Sequence, residues 1–384
     1  MAHPADDEPA PSLLVVTNMV THYRLPLFKR LSELTPTEFL LFSDGGERYW
    51  GGRQLPAIKT LDARILRGVW LGRTRITPGL PRAVMRSSRD VVVKDINGKL
   101  ALPMTYVAAR LRRRPFVLWT GIWSHPRRGL NRWSSSIVRY FYRHADAILT
   151  YGRHVSEFVA SEGADPTYIF VAPQAVDMAP LERLPPRDGA VFRVLYLGRL
   201  EPEKGADVAL DAVLRLRDRA SVILTVVGSG SLERVLRTRA AAAGASHVLE
   251  MRGTVAPQDV RAEYARADAV VVPSVGSDEF AEPWSLVVNE AMAAGRPIVG
   301  TSAVGATRDG LLEDGRTGLV TPPGDAAALA AALERLLREP ELREALVNAA
   351  AERVAAYTFD AAARAFVTAA MLARARHAER RTKV

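Results

Sequence analysis

Three features are missing from the sequence: cysteine, a long apolar run and an Asp-x-Asp motif. Without cysteine there are no disulfides, thiolate metal sites or cysteine nucleophiles, which is typical of a cytoplasmic protein. Without an apolar run near ~20 residues, no membrane-spanning helix is expected. Residues 1–11 lack the basic start and apolar middle of a signal peptide, and their acidic, Pro- and Ala-rich composition predicts a disordered tail.

The 384 residues are long enough for two domains, and 48% apolar with 24% charged side chains is ordinary for a globular protein. Short apolar runs alternate with helical patterns, which predicts two α/β domains with parallel sheets. We place an N-terminal domain at 12–184, a linker containing Pro and Gly at 185–190, and a C-terminal domain at 191–355. The last segment, 356–384, is predicted to be an apolar-rich helix over 359–375 followed by a basic tail.

The net charge of +10 is concentrated in the first half of the chain. Residues 1–187 contain 27 basic and 16 acidic residues (+11), whereas the remainder contains 25 and 26 (−1). Residues 96–145 hold Lys99 and nine arginines without a carboxylate, and residues 64–89 hold seven arginines without one. This excess of positive charge suits an anionic partner: a phosphate-bearing acceptor, an anionic membrane surface or nucleic acid.

The arginines of 74–89 are interleaved with apolar side chains, which predicts an interfacial helix or loop on anionic lipid. These apolar residues are Trp70, Leu71, Ile76, Leu80, Val84 and Met85. A solvated arginine-rich surface is the alternative interpretation. A nucleic-acid partner is not favoured, because no nucleic-acid motif accompanies the charge.

The most informative stretch, 274–300, follows a buried-strand pattern that ends at Pro273. It contains Glu282 and Glu290, separated by seven residues, and a helix predicted over 284–294. Free amides at the start of a helix suit a phosphate, and a carboxylate accepts two hydrogen bonds from vicinal sugar hydroxyls. For two glutamates at this spacing alone, a solvated helix face is the alternative.

This Glu-x7-Glu pattern, within Glu-Pro-Trp-Ser-Leu-Val-Val-Asn-Glu-Ala-Met-Ala-Ala-Gly at 282–295, resembles the signature of the family-four retaining glycosyltransferases with the GT-B fold. The resemblance implies an α/β fold of two Rossmann-like parallel-sheet domains facing across a cleft, with the C-terminal helix crossing back to the first domain. It covers nearly all of the second half with specific motifs and the first half only loosely. The first loop, 18–24, lacks the glycines that many family members have there.

The resemblance also implies roles for individual residues. Glu290 would bind the ribose hydroxyls of a nucleotide donor, and Glu282 the sugar hydroxyls. Arg199 and Lys204 follow a predicted strand, where an Arg fork and a Lys point charge suit a diphosphate. Surface cations in a strand–helix turn are the alternative for this pair. The other implied donor-binding residues are Gly228, Gly253, Thr254, Val255, Ser274, Trp284, Ser285 and Leu286.

Three residues of the first half complete the candidate site. Family members often have a histidine near the position of His125, close to the donor sugar, so His125 joins Glu282, Arg199 and Lys204 as a candidate catalytic residue. A histidine in a loop is usually incidental, which is the alternative here. His22 and Tyr23, in the first loop, are predicted to reach the acceptor.

Together these features predict a retaining hexosyltransferase of glycoconjugate or polysaccharide biosynthesis. It would move a sugar from a UDP- or GDP-linked donor to a hydroxyl of a glycan, lipid-linked or small-molecule acceptor. No cofactor and no metal are expected, and the location is predicted to be cytoplasmic with a peripheral contact at the inner face of the membrane. The alternatives are a nucleotide-sugar epimerase or hydrolase of the same fold, and a non-catalytic protein that binds an anionic surface.

Overall fold

The structure is a computed structural model that describes residues 9–46, 58–72, 74–124, 132–181, 183–185, 187, 189–277 and 281–382. The chain forms two compact units. The first unit contains the chain up to Trp123, Leu130–Gln174 and Thr358–Val384, and the second contains Ala175–Tyr357. In these described ranges, no helix combines the length and the apolar character needed to cross a membrane.

The first unit is built on a seven-stranded parallel sheet with the spatial order β3-β2-β1-β6-β7-β8-β9. A separate antiparallel hairpin of two short strands, β4 and β5, follows β3 in the chain. The strands are β1 Leu13–Thr17, β2 Thr37–Leu41, β3 Ala63–Ile65, β4 Val69–Leu71, β5 Thr74–Ile76, β6 Val91–Asp95, β7 Phe116–Thr120, β8 Ala147–Thr150 and β9 Ile169–Val171.

Helices cover both faces of this sheet, so its central strands are apolar throughout rather than alternating. Successive side chains of a strand point to opposite faces. Leu13 and Val15 of β1 therefore belong to one core, and Leu14 and Val16 to the other. The helices are α1 Leu25–Leu34, α2 Leu80–Arg86, α3 Ala101–Leu111, α4 Arg132–His144 and α5 Arg153–Ser161.

The second unit is built on a six-stranded parallel sheet with the spatial order β12-β11-β10-β13-β14-β15. Its strands are β10 Phe192–Leu197, β11 Val222–Val227, β12 Leu249–Gly253, β13 Ala269–Val272, β14 Ile298–Thr301 and β15 Leu319–Thr321. Its helices are α6 Ala206–Leu216, α7 Glu233–Ala242, α8 Val260–Ala265, α9 Leu286–Ala293, α10 Gly305–Arg308, α11 Ala326–Arg338 and α12 Pro340–Val354.

The last helix, α13 Phe359–Thr382, returns to the first unit and packs against α1 and β8. Its buried side chains recur at the spacing of one helix face, and five of the six are alanines, which let the backbone approach closely. The buried residues are Ala362, Ala363, Phe366, Ala369, Ala370 and Ala373. The predicted end of the helix at 375 is too early, because the helix continues through the basic residues to Thr382.

The apolar residues of the predicted interfacial helix or loop divide between the core and the surface, and its contact with lipid stays a prediction. Leu80 and Val84 of α2 are fully buried in the core rather than exposed. Trp70 and Leu71, which belong to the same prediction and lie on the hairpin of β4 and β5, are 42% and 70% exposed.

Candidate active site

The loop between β13 and α9 carries Glu282 and is fixed by the backbone of a neighbouring loop. Glu282 forms an isolated parallel bridge with Val304, and the amide of Gly305 donates to the Glu282 carbonyl at 3.1 Å. The helix begins at Leu286, two residues later than predicted. Glu282 therefore lies four residues before the first helical residue, and its position is set by pairing with another loop rather than by the helix.

Two residues just before α9 are held in unusual ways. Ser285 has a φ of 79°, a left-handed conformation that is uncommon for residues other than glycine and that often occurs at functional sites. The indole of Trp284 is buried and donates to the Asn289 side chain at 2.7 Å. The amides predicted to lie near phosphates therefore belong to a segment whose conformation is strongly constrained.

The Glu282 carboxylate is buried and forms an ion pair with the Lys204 ammonium group. It also accepts a hydrogen bond of 3.3 Å from the hydroxyl of Ser274. These three predicted site residues therefore come together, although Lys204 is 78 positions from Glu282 in the chain. The result is a half-buried cation and a buried carboxylate at the carboxyl end of β13, where parallel sheets usually bind ligands.

Gly205 explains how Lys204 reaches this position. Its φ is 69°, and a Cβ atom there would lie 2.0 Å from the Pro273 carbonyl oxygen, so any other residue would push the two loops apart. The amide of Val275 donates to the Glu203 carbonyl at 3.0 Å, which joins the same loops. The glycine after Lys204 is thus required for the contact between Lys204 and Glu282.

Arg199 lies after β10 and pairs with a carboxylate of its own turn. Its guanidinium group is 3.1 Å from Glu203, and its carbonyl accepts from the Tyr196 hydroxyl at 2.7 Å. Burial raises the pKa of Tyr196, and Glu282 acts in the same direction, so the phenol stays neutral and serves as a donor. The two predicted phosphate-binding cations, Arg199 and Lys204, therefore each contact a carboxylate at one edge of the sheet.

Glu290 lies on α9 in different surroundings. It is partly buried and accepts a hydrogen bond of 2.8 Å from the Tyr264 hydroxyl. Burial raises the pKa of Glu290 to about 7, while the hydrogen bond from Tyr264 acts in the opposite direction. Burial, together with Glu290, also raises the pKa of Tyr264 well above its ordinary value. Glu290 thus changes charge near neutral pH.

The glycine turns after β10, β11 and β12 meet at the same edge. A Cβ at Gly228 would lie 1.8 Å from the Gly198 carbonyl oxygen, so this turn also requires glycine. The Gly228 amide donates to the Gly253 carbonyl at 2.8 Å, and the hydroxyl of Thr254 lies 3.1 Å from that of Ser229. Gly228, Gly253 and Thr254 are therefore neighbours, and Val255 follows them in the chain, partly buried.

The predicted acceptor residues lie in the first unit, after β1. His22 is exposed, and its ring meets the Tyr23 ring edge-on at 5.3 Å. The next residue, Arg24, was not predicted. Its guanidinium group lies over the Trp119 ring at 4.6 Å and is 2.6 Å from the Tyr151 hydroxyl. His125 lies outside the described residues.

A buried polar cluster at the carboxyl end of β6 was also missed. Lys94 is fully buried and pairs with the Asp95 carboxylate, and it donates to the Asn97 carbonyl at 2.7 Å. Asp95 accepts from Thr17 at 2.8 Å, which ties the ends of β6 and β1 together. Burial lowers the pKa of Lys94, and Asp95 opposes this effect. A Lys-Asp pair that ends an apolar strand was the available sequence signal.

Metal-binding groups do not stand out in this geometry. Across the part of the chain that the structure describes, no three His, Asp or Glu side chains are grouped as a metal ion would require. The expected metal independence stays a prediction.

The family model that the chain matches covers part of the second unit only. Residues 185–353 match the family model described as glycosyl transferases group 1, and this segment contains Arg199, Lys204, Glu282 and Glu290. Among curated proteins, the phosphatidyl-myo-inositol mannosyltransferase of Mycobacterium leprae is 38% identical over 172 residues, which cover 44% of this chain and 44% of that protein. The D-inositol 3-phosphate glycosyltransferase of Pseudarthrobacter chlorophenolicus is 36% identical over 211 residues, which cover 52% of this chain and 49% of that protein.

The chain thus spans about half the length of these curated relatives. The similarity to a solved structure extends over nearly the whole chain. Anabaena HepE, determined with UDP and glucose, aligns over 97% of this chain and 100% of its own, with a TM-score of 0.70 and 18% identity. The predicted fold class is therefore confirmed: two parallel-sheet α/β units of the GT-B type. The match of residues 185–353 to the group 1 glycosyltransferase model agrees with the resemblance of the Glu-x7-Glu segment, which lies within it.

Proposed function

We propose that this protein transfers a sugar from a nucleotide diphosphate sugar to a hydroxyl group of an acceptor, and that the second unit holds the donor. The observation that carries the proposal is the ion pair of Lys204 with the buried Glu282 at the carboxyl edge of the sheet. It lies inside the segment that matches the group 1 glycosyltransferases. A cation beside a carboxylate suits a molecule in which a diphosphate adjoins a sugar.

Each half of this ion pair has a separate role in the proposal. The donor diphosphate takes Lys204 and Arg199 as partners, in place of the carboxylates that they contact in the structure. Glu282 then accepts hydrogen bonds from the sugar hydroxyls. The amides of Trp284, Ser285 and Leu286, before and at the start of α9, contribute further donors to the phosphates. Glu290 accepts from the ribose hydroxyls.

The proposed reaction needs no protein nucleophile. The acceptor oxygen bonds to the anomeric carbon on the face from which the diphosphate leaves, so the anomeric configuration is retained. The bond from that carbon to the diphosphate oxygen breaks, and the acceptor proton passes to the departing diphosphate. Arg199, Lys204 and backbone amides stabilise the charge on the leaving group, which makes a divalent metal unnecessary in this proposal.

For the acceptor, we propose a hydroxyl compound that carries a phosphate, either lipid-linked or soluble. The names of the two bacterial relatives specify phosphatidyl-myo-inositol and D-inositol 3-phosphate. In this chain, Arg24 of the first unit lies after β1 and is fixed by Trp119 and Tyr151, which suits recognition of an anion. We also propose a cytoplasmic location, which the lack of cysteine supports.

Thermal shift with UDP, GDP and their sugar conjugates is the first test. A donor at one hundred times its dissociation constant adds about 2.7 kcal/mol to the free energy of unfolding, so the melting temperature should rise with one nucleotide series. The rise should disappear in Lys204→Met and persist in Lys99→Met, which changes an exposed lysine of the first unit. If Lys204→Met keeps the full rise, the donor lies elsewhere.

A transfer assay is the second part of the test. With that donor and phosphate-bearing acceptors, nucleoside diphosphate release should depend on the acceptor and yield a product with the donor's anomeric configuration. Equal release without acceptor, or epimerised donor, would contradict transfer and favour the epimerase or hydrolase alternative.

A further inference from the structure

A basic cavity lies on the first unit, away from the carboxyl ends of its strands. It has a volume of ≈ 530 Å³ and is lined by Tyr106, Arg110, Arg113, His144, Asp146, His377, Arg380 and Arg381. Asp146 directly precedes β8 and accepts a hydrogen bond of 2.8 Å from the amide of Phe116, the first residue of β7. The cavity is therefore at the amino ends of these strands, opposite to the edge that carries Arg24 and Lys94.

The charge of this cavity is strongly positive. Its described lining contains four arginines and two histidines but one carboxylate, that of the fully buried Asp146. Asp146 is 2.6 Å from Arg110 and 3.2 Å from Arg380, so these two arginines have a structural partner. Arg113 and Arg381 are exposed and add to the positive charge at its mouth. The cavity thus combines a fixed framework with surplus cations, which favours a phosphate-bearing ligand.

Four exposed apolar side chains lie on α3 and α4, the helices that contribute Tyr106, Arg110 and His144 to the cavity lining. We call them the apolar rim: Val107 and Leu111 of α3, and Ile137 and Tyr140 of α4. Their exposed fractions are 54%, 71%, 56% and 47%. Tyr140 stacks on His144 at 4.0 Å and meets Tyr106 edge-on at 5.9 Å, and both of these rings line the cavity. Tyr140 therefore joins the apolar rim to the basic cavity, and Val107 and Leu111 directly follow the lining residues Tyr106 and Arg110 in α3.

We infer that this surface docks the protein on an anionic lipid bilayer, with lipid phosphates at the basic cavity and the apolar rim in the interface of head groups and acyl chains. Two contributions to membrane binding add up at such a surface. Cations are attracted to anionic lipids, and apolar side chains are stabilised when they leave water. A small soluble phosphate compound would satisfy the cavity alone and would leave the rim exposed. This inference does not depend on the proposed sugar transfer.

The hairpin of β4 and β5 is the competing apolar surface of the same unit. Leu71 there is 70% exposed, but the adjoining cavity is smaller, at ≈ 440 Å³, and holds two arginines with one aspartate. One of these, Arg75, is already bound to the Phe42 carbonyl at 2.7 Å and to Asp44 at 3.1 Å. Within its described residues, the hairpin therefore offers less uncompensated charge for lipid phosphates.

Vesicle flotation of the full chain tests the inference. Phosphatidylcholine vesicles containing about one-third phosphatidylglycerol should carry the protein upward, whereas phosphatidylcholine alone should not, and added salt should weaken the binding. The double variant Arg113→Gln with Arg381→Gln removes two exposed cations and leaves the partners of Asp146 in place. It should bind about tenfold more weakly.

A rim variant, Leu111→Ser with Ile137→Ser, should show a comparable loss. The matched control for charge is Arg316→Gln with Arg338→Gln, since these arginines are exposed in the second unit, and it should bind as the wild type does. Leu71→Ser is the matched control for apolar exposure and should also bind normally. Melting curves should show that all variants fold.

Three results would overturn the inference. The first is equal flotation with and without phosphatidylglycerol. The second is a loss of binding in Leu71→Ser together with normal binding of the rim variant, which would assign the contact to the hairpin. The third is full displacement by millimolar inorganic phosphate at constant ionic strength, which would show a site for small phosphates. Flotation needs no donor, so these results are separable from a failure of sugar transfer.

Discussion

The surroundings of Glu282 and of Glu290 differ, although the sequence presents the two residues as a matched pair. Glu282 precedes α9, is held by a bridge to Val304 and contacts a lysine. Glu290 lies within α9 and contacts a neutral phenol, Tyr264, while burial raises its pKa to about 7. One carboxylate thus has a charged partner, and the other is uncompensated by charge.

Because their surroundings differ, Glu282 and Glu290 should respond differently when the donor binds. At Glu282, an arriving diphosphate competes for Lys204, so the ion pair opens as the donor enters. At Glu290, the carboxylate must lose its proton before it can accept two ribose hydrogen bonds. The comparison therefore predicts that Glu282 governs turnover and that Glu290 governs the pH dependence of affinity.

The largest expected effect is that of Glu282→Gln. Replacing the carboxylate with an amide removes the charge that pairs with Lys204 and exchanges one of the two acceptor oxygens for an NH2 donor. We expect the rate of nucleoside diphosphate release with acceptor present to fall about hundredfold, since a hydrogen bond to a charged group contributes up to about 3 kcal/mol. Glu313→Gln, which alters an exposed glutamate of the same unit, should keep its rate. Equal rates in the Glu282→Gln and Glu313→Gln variants would contradict the claim that Glu282 governs turnover.

A smaller effect is expected for the pH dependence of donor affinity. The Glu290 carboxyl ionises as the pH rises through about 7, and the ionised form is the better acceptor, so affinity should increase with pH. Between about pH 6 and pH 8 the ionised fraction rises about tenfold, and the dissociation constant should fall by a similar factor. Calorimetric titrations over this range measure it.

The variant Glu290→Gln provides the control for that titration, because an amide does not ionise. Its dissociation constant should stay nearly constant over the same pH range and match the weaker, low-pH value of the wild type. A variant with the same pH dependence as the wild type would show that another group is responsible.

The smallest expected effect is that of Tyr264→Phe. The Tyr264 hydroxyl donates to Glu290 and lowers the pKa of its carboxyl group, so its removal should raise that pKa further. The midpoint of the affinity–pH curve should move to higher pH by less than about one unit. Nuclear magnetic resonance of the Glu290 carboxyl carbon would follow the same shift directly. A midpoint that moves to lower pH would contradict the proposed role of the hydrogen bond.

Some strands of the second unit were predictable because a short apolar, β-branched run ends at Gly or Pro, as in β11 before Gly228 and β13 before Pro273. The helix α12, in contrast, was not predicted. Its sequence, Pro340–Val354, is rich in Ala, Glu and Arg, and its few large apolar residues give a weak periodic signal. Pro340 at the first helical position was the available clue.

Contacts between residues distant in sequence were beyond prediction from local patterns. The ion pair of Lys204 with Glu282 and the hydrogen bond of Tyr264 to Glu290 depend on which strand ends become neighbours. The spacing of two glutamates predicts that both approach one ligand, but not that one has a lysine and the other a phenol. In the same way, the extension of α13 to Thr382 depends on contacts of its basic residues, such as Arg376 with Asp165.

The most direct measurement is a crystal structure of the protein with the nucleotide sugar that raises its melting temperature. The account predicts a diphosphate within hydrogen-bond distance of Lys204 and Arg199, a sugar hydroxyl on Glu282 and ribose hydroxyls on Glu290. A nucleotide bound away from these residues, with Lys204 still paired to Glu282, would contradict it.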